Sequence, residues 1–133
     1  MSAIRLHPSQ DLSECPCAGG TLDRLTQPAI LAVLAEGPLH GYRLAERIGE
    51  MPGFAGQKPD MSGVYRMLKT MEGRGLVQAS WDLSQAGPAK KSYQITAEGQ
   101  RCLKQWICTL EAYRQSVTNI LKVARKAVEA KSE

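Results

Sequence analysis

No apolar run in this 133-residue sequence approaches the roughly 20 residues needed to cross a bilayer, and its start, MSAIRLHPSQDLSE, lacks the long apolar core of a secretory signal. A cytoplasmic address, with no membrane partner, is the expectation that follows. Histidine is scarce as well: His7 and His40 are the only two, and they stand far apart. No carboxylate pair, Ser-His-Asp set or glycine-rich phosphate loop occurs at useful spacing, so the chain is expected not to be an enzyme. His40 is accordingly read as a structural residue near the start of a helix, not as a metal ligand or a base. There is no internal repeat and no low-complexity segment. A content of 43% hydrophobic and 23% charged residues fits neither a disordered nor a collagen-like chain. The length of 133 residues suits one domain with one small core, and a multidomain enzyme with a separate cofactor module is not expected.

What the chain does have is an excess of positive charge: 17 basic against 13 acidic residues, a net +4. With a pI near 9.0, this points to a polyanionic partner. Between Lys58 and Lys91, six basic residues (Lys58, Arg66, Lys69, Arg74, Lys90, Lys91) face three acidic ones (Asp60, Glu72, Asp82), so most of the excess lies there. Four cysteines, Cys15, Cys17, Cys102 and Cys108, are not expected to form a disulfide framework in a reducing compartment.

Residues 1–20 show no helical or alternating period and read as a mobile N-terminal arm carrying Cys15-Pro16-Cys17. Residues 21–95 read as the folded domain, and 96–133 as a terminal helix and tail. Leu22, Leu25, Ala29 and Val33, with Ile30 and Leu34, fall on one helical face. Because Pro28 is comfortable only in a first turn, the main helix is expected from Thr26 or Gln27 to Gly37-Pro38. Leu44, Ala45 and Ile48 mark a short second helix, stopped by Gly49 or Pro52-Gly53. A third is expected from near Gly63, capped by Asp60 or Ser62, with Val64, Leu68 and Met71 inward and Tyr65, Arg66, Lys69 and Thr70 outward.

The period then changes to two. Val77, Ala79 and Trp81 alternate with Gln78, Ser80 and Asp82, and Tyr93 and Ile95 alternate in KSYQI, which predicts a two-stranded hairpin with a long loop. Thr96 opens TAEG, a capping sequence for the last helix. There Leu103, Trp106, Ile107, Leu110, Tyr113, Val117, Ile120, Leu121, Ala124 and Val128 form one stripe. Thirty residues of helix span about 45 Å, more than the roughly 30 Å diameter of so small a globule. The distal half therefore needs a partner chain, and Leu103, Trp106, Leu110, Tyr113, Val117 and Leu121 are the candidate dimer contacts, with aromatics read as dimer core before ligand pocket.

Three helices, a two-stranded wing and a long terminal helix make a mainly α chain with a small β-hairpin: a winged helix-turn-helix followed by a C-terminal dimerisation helix. The exposed face of the third helix offers Arg66 and Lys69 to a major groove and its phosphates. Details of the sequence agree. His40-Gly41-Tyr42 opens the second helix; Gly63-Val64-Tyr65, Leu68, Met71 and Gly75-Leu76 surround the third; Tyr93-Gln94-Ile95-Thr96 and Gly99 follow the wing. In order and spacing these resemble the PadR family of bacterial transcriptional regulators over roughly Leu25 to Leu110.

The resemblance implies a dimeric regulator of double-stranded DNA, usually a repressor. Its third helix would enter the major groove, its terminal helix would build the homodimer, and a small-molecule effector is possible at the dimer interface. It also implies that Tyr65 stands where the family has a recognition-helix tyrosine. Ser62 is expected to add a contact at the helix start, and Arg74, Lys90 and Lys91 to complete the candidate DNA surface. The chain departs from the family at the wing, carrying Gly87-Pro88 where an arginine often follows the glycine, so Lys90 and Lys91 are the wing's candidates.

Two alternatives stand beside this reading: a winged-helix adaptor that binds protein and not DNA, and a metal- or redox-sensing regulator. For the second, Cys15 and Cys17 are the candidate ligands of a metal, an iron-sulfur cluster or a haem, two arms of a dimer supplying four thiolates. Cys102 and Cys108 cannot both complete that set, since six helical residues separate their side chains by about 120 degrees and about 9 Å.

Overall fold

The computed structural model describes residues 25–51, 61–83 and 90–131. Helix α1 (Thr26–Leu34) carries Pro28 in its first turn, and Ala29, Ile30, Leu31, Val33 and Leu34 are all buried. A helix apolar on nearly every side belongs in the middle of a core, and the other elements pack around this one. A two-residue strand β1 (Leu39–His40) leads directly into α2 (Gly41–Glu50), whose Leu44, Ala45 and Ile48 complete the next side of the core. This helix passes through Gly49 and ends at Met51, which turns extended. Arg47 at its last turn reaches back 2.7 Å to Glu36, and the hydrogen bond and charge of that carboxylate raise the Arg47 pKa above its ordinary value.

Helix α3 (Met61–Gly73) buries Val64, Leu68 and Met71 as their spacing predicts. It already includes Met61, so Ser62 is its second residue and not the cap of a helix starting at Gly63. Serine is tolerated there because first-turn N–H groups have no intrahelical acceptor to lose. The other candidate cap, Asp60, lies outside the described residues. The helix closes in a Schellman motif: the Leu76 amide donates to the Met71 carbonyl (2.9 Å) and the Gly75 amide to that of Glu72 (3.0 Å). Gly75 holds φ at 75°, a left-handed conformation that favours glycine.

Strands β2 (Val77–Asp82) and β3 (Lys90–Ile95) pair antiparallel from Val77↔Ile95 out to Asp82↔Lys90. The wing is not two-stranded, as expected, but belongs to a three-stranded sheet of order β1-β3-β2, with Leu39 opposite Tyr93 and His40 opposite Ser92. Two residues are too few to display an alternating pattern, and β1 forms because it covers the free edge of β3. Trp81 keeps the side of β2 that it shares with Val77 and Ala79, on the rung paired with Lys91. It is nevertheless 63% exposed, one rung from the outer end of the described ladder.

Helix α4 (Ala97–Lys131) is 35 residues long, about 52 Å at 1.5 Å per residue. Thr96 caps it: the Gly99 amide donates to Thr96 Oγ1 (3.0 Å), while that hydroxyl lies 2.6 Å from the Gly75 carbonyl and 3.0 Å from that of Leu76. The cap therefore also ties α4 to the end of α3. Cys102, Leu103 and Trp106 pack partly buried against the core, and the Trp106 indole donates to Gln27 Oε1 at 2.9 Å. From Glu111 to Lys131 every residue is exposed.

Candidate nucleic-acid interface

The periodicity of α3 divides it cleanly. With Val64, Leu68 and Met71 held inward, Ser62, Tyr65, Arg66 and Lys69 fall on the opposite, exposed face at helical neighbour spacing. Among the described residues, no carboxylate lies within ion-pair distance of Arg66, Lys69 or Arg74. Arg74 is exposed in the turn beyond α3, its amide bonded to the Thr70 carbonyl at 3.1 Å. Tyr65 is 41% exposed, and its ring rests over Gly41 at the start of α2: a Cβ added to Gly41 would stand 2.6 Å from Tyr65 Cε1. The two helices thus meet where the Tyr65 ring fills the space that a Cβ on Gly41 would take.

The wing lysines, paired in expectation, are placed differently. Lys91 turns to the core side of the sheet, 3.5 Å from Glu72 of α3 and 5.5 Å from the centroid of the Tyr93 ring. Its charge is partly answered within the protein. Lys90, on the last described rung, is exposed, with its ammonium 5.3 Å from the Tyr42 ring centroid. Beside it, His40 Nε2 lies 3.5 Å from Asp82 Oδ2. Sequence reasoning assigns His40 only a structural role and misses Tyr42 and Asp82 at this site. The contacts of His40 with Asp82 and of Tyr42 with Lys90 join segments more than 40 residues apart in sequence, and no local spacing reports them. Gly87-Pro88 lie outside the described residues.

The candidate dimer residues divide along α4. Leu103 and Trp106 already pack on their own core, and Leu110 is half-buried. Tyr113, Val117 and Leu121 are exposed, Val117 to 62%. The thiol of Cys108 is exposed and that of Cys102 partly buried, both free, which fits their separation on the helix. Cys15 and Cys17 lie outside the described residues. Among the described residues there is no group of three or more His, Cys, Asp or Glu arranged to hold a metal, and no helix is long and apolar enough to cross a membrane.

A winged helix-turn-helix with an exposed cationic third helix is now joined by a family match: the model of the PadR-like transcriptional regulator family matches residues 30–105. The chain belongs to the PadR-like family. As a PadR-like protein it is a transcriptional regulator and not an enzyme. Solved structures agree. A protein of Thermoplasma acidophilum assigned as a transcriptional regulator is 30% identical, with a TM-score of 0.67 over 76% of this chain and 94% of its own. A PadR-like regulator of Bacillus cereus, 22% identical, shares the fold with a TM-score of 0.65 over 77% and 96%. Bacillus subtilis PadR, solved in complex with operator DNA, is 25% identical, with a TM-score of 0.56 over 70% of this chain and 59% of its own. No curated protein matches the sequence.

Proposed function

We propose that this PadR-like chain is a repressor that binds a two-fold-symmetric operator as a homodimer, with the exposed face of α3 in the major groove. The observation that carries the reading is the row Ser62, Tyr65, Arg66, Lys69, hydroxyl and cationic groups along one uncovered helix face. Such side chains bond phosphates and base edges, whereas a protein-binding adaptor would more naturally present an apolar patch there. The operator complex of Bacillus subtilis PadR supports the same assignment. Dimerisation is supported by α4, whose Tyr113, Val117, Ile120 and Leu121 are exposed on a single chain. Repression needs only occupancy of a promoter, which a DNA-binding unit and a dimer helix suffice to provide. A small-molecule effector that favours one spacing of the two α3 helices would release the operator, provided it binds the two states unequally.

Selection of bound duplexes from random DNA tests the reading. The expected product is an inverted repeat whose half-sites are centred about one helical turn, roughly 10 base pairs, or a multiple of it apart. Recovery of no enriched sequence would refute it, and so would a purely monomeric 14.5 kDa species in light scattering at micromolar concentration.

A further inference from the structure

Two residues at the start of α2 grip both members of the wing's outermost described rung. Asp82 and Lys90 are opposite one another in the last pair of the β2–β3 ladder. His40 meets the first of them, Nε2 to Oδ2 at 3.5 Å, and the Tyr42 ring meets the second, 5.3 Å from the ammonium. The His40 and Tyr42 rings are nearly parallel, 6° apart with centroids separated by 6.0 Å. Between them sits Gly41, with the Tyr65 ring of α3 over it. The whole set therefore joins the wing to the same point where α2 and α3 meet.

We propose that Tyr42 is a positioning residue for DNA binding: by holding the Lys90 ammonium over its ring it sets the wing against the α2–α3 pair, while His40 anchors the opposite strand at Asp82. The inference rests on the DNA-binding reading above. Pairing with β1 supports β3 only as far as Ser92, so the Lys90 rung lies beyond that support. A projecting hairpin twists and bends easily, and lateral contacts are what restrict it. The lysine stem is long and flexible, and ordering it costs entropy when a phosphate must be met. A ring that confines the ammonium pays part of that cost in advance and leaves its N–H donors for a phosphate. Tyr42 is itself 41% exposed, so its ring is not simply part of the core.

The test compares Tyr42→Leu, Tyr42→Phe, Lys90→Gln and the Tyr42→Leu/Lys90→Gln double variant in the full chain, at equal melting temperature, by NMR and by binding to the selected duplex. In the free wild-type protein the ring should shift the Lys90 ε-protons upfield. Tyr42→Leu should abolish that shift, raise Kd about two- to five-fold, the range a surface cation–π contact supplies, and lower the salt slope by up to about one unit. Tyr42→Phe should retain all three properties, and Tyr42→Leu should change little once Lys90 is glutamine. Additive losses in the double variant, or a Tyr42→Phe loss equal to that of Tyr42→Leu, would overturn the proposal by showing that Tyr42 touches DNA itself. Unshifted ε-protons in the wild type would overturn it without any DNA. A normal shift in a protein that selects no duplex would instead refute the DNA-binding reading, and the positioning role with it.

Discussion

Gly41 and Tyr65 occupy one another's space so closely that α2 and α3 are registered by the absence of a side chain: any Cβ at Gly41 would stand 2.6 Å from Tyr65 Cε1 and 2.9 Å from its hydroxyl. Tyr65 belongs to the exposed face proposed to meet DNA, so an interaction inside the protein fixes where that face begins. Gly41→Ala should force the ring outward and weaken operator binding several-fold, with a stability loss of about 1 kcal/mol, at the mild end of overpacking because the ring can move. In a Tyr65→Ala background the same substitution should cost nothing, since the ring is gone and alanine favours helix over glycine. Chemical denaturation and DNA titration of the four proteins check both statements.

Gly99 faces a harder constraint. A Cβ there would stand 2.1 Å from the Leu76 carbonyl oxygen, a backbone atom that cannot swing aside. Gly99→Ala should therefore destabilise the fold by about 3 kcal/mol, the upper end of overpacking. Thr96→Ala, which removes the α4 cap, should cost about 1 kcal/mol. Urea midpoints for the two variants should fall in that order.

Arg66→Ala and Lys69→Ala should leave the melting temperature within about a degree of wild type, because neither side chain is buried or ion-paired among the described residues. Their effects on DNA should separate their roles. Removing a group that bonds phosphate lowers the salt slope by about one and weakens binding to all sequences alike, whereas removing a group that reads a base costs about 1–3 kcal/mol and relaxes preference at one position. Binding of both variants with wild-type affinity and salt slope would remove α3 from the interface.

Charge on the distal stripe tests the dimer. Val117→Asp and Leu121→Asp change residues that are exposed on a single chain, so they should not harm an isolated monomer. If the stripe is covered by a second copy, each carboxylate is buried on association and opposes it strongly. Light scattering should then show the mass halved and operator affinity abolished together.

The helices, the alternating wing strands, the cap at Thr96 and the outward row of α3 are all legible in the sequence. Each is a repeat or a neighbour relation within a few residues, which is where helix and strand geometry acts. Even the mismatch between a 35-residue α4 and one small core follows from counting along the chain. The pairing of Leu39 and His40 with β3, the turn of Lys91 toward Glu72, the exposure of Trp81 and the meeting of Tyr42 with Lys90 are not legible there. These join segments distant in sequence, and only the packing of the helices against the sheet brings them together. The same holds for the intramolecular seat of Leu103 and Trp106, which an amphipathic stripe cannot distinguish from a dimer contact: periodicity tells which face of a helix is apolar, but only the tertiary structure decides what covers it.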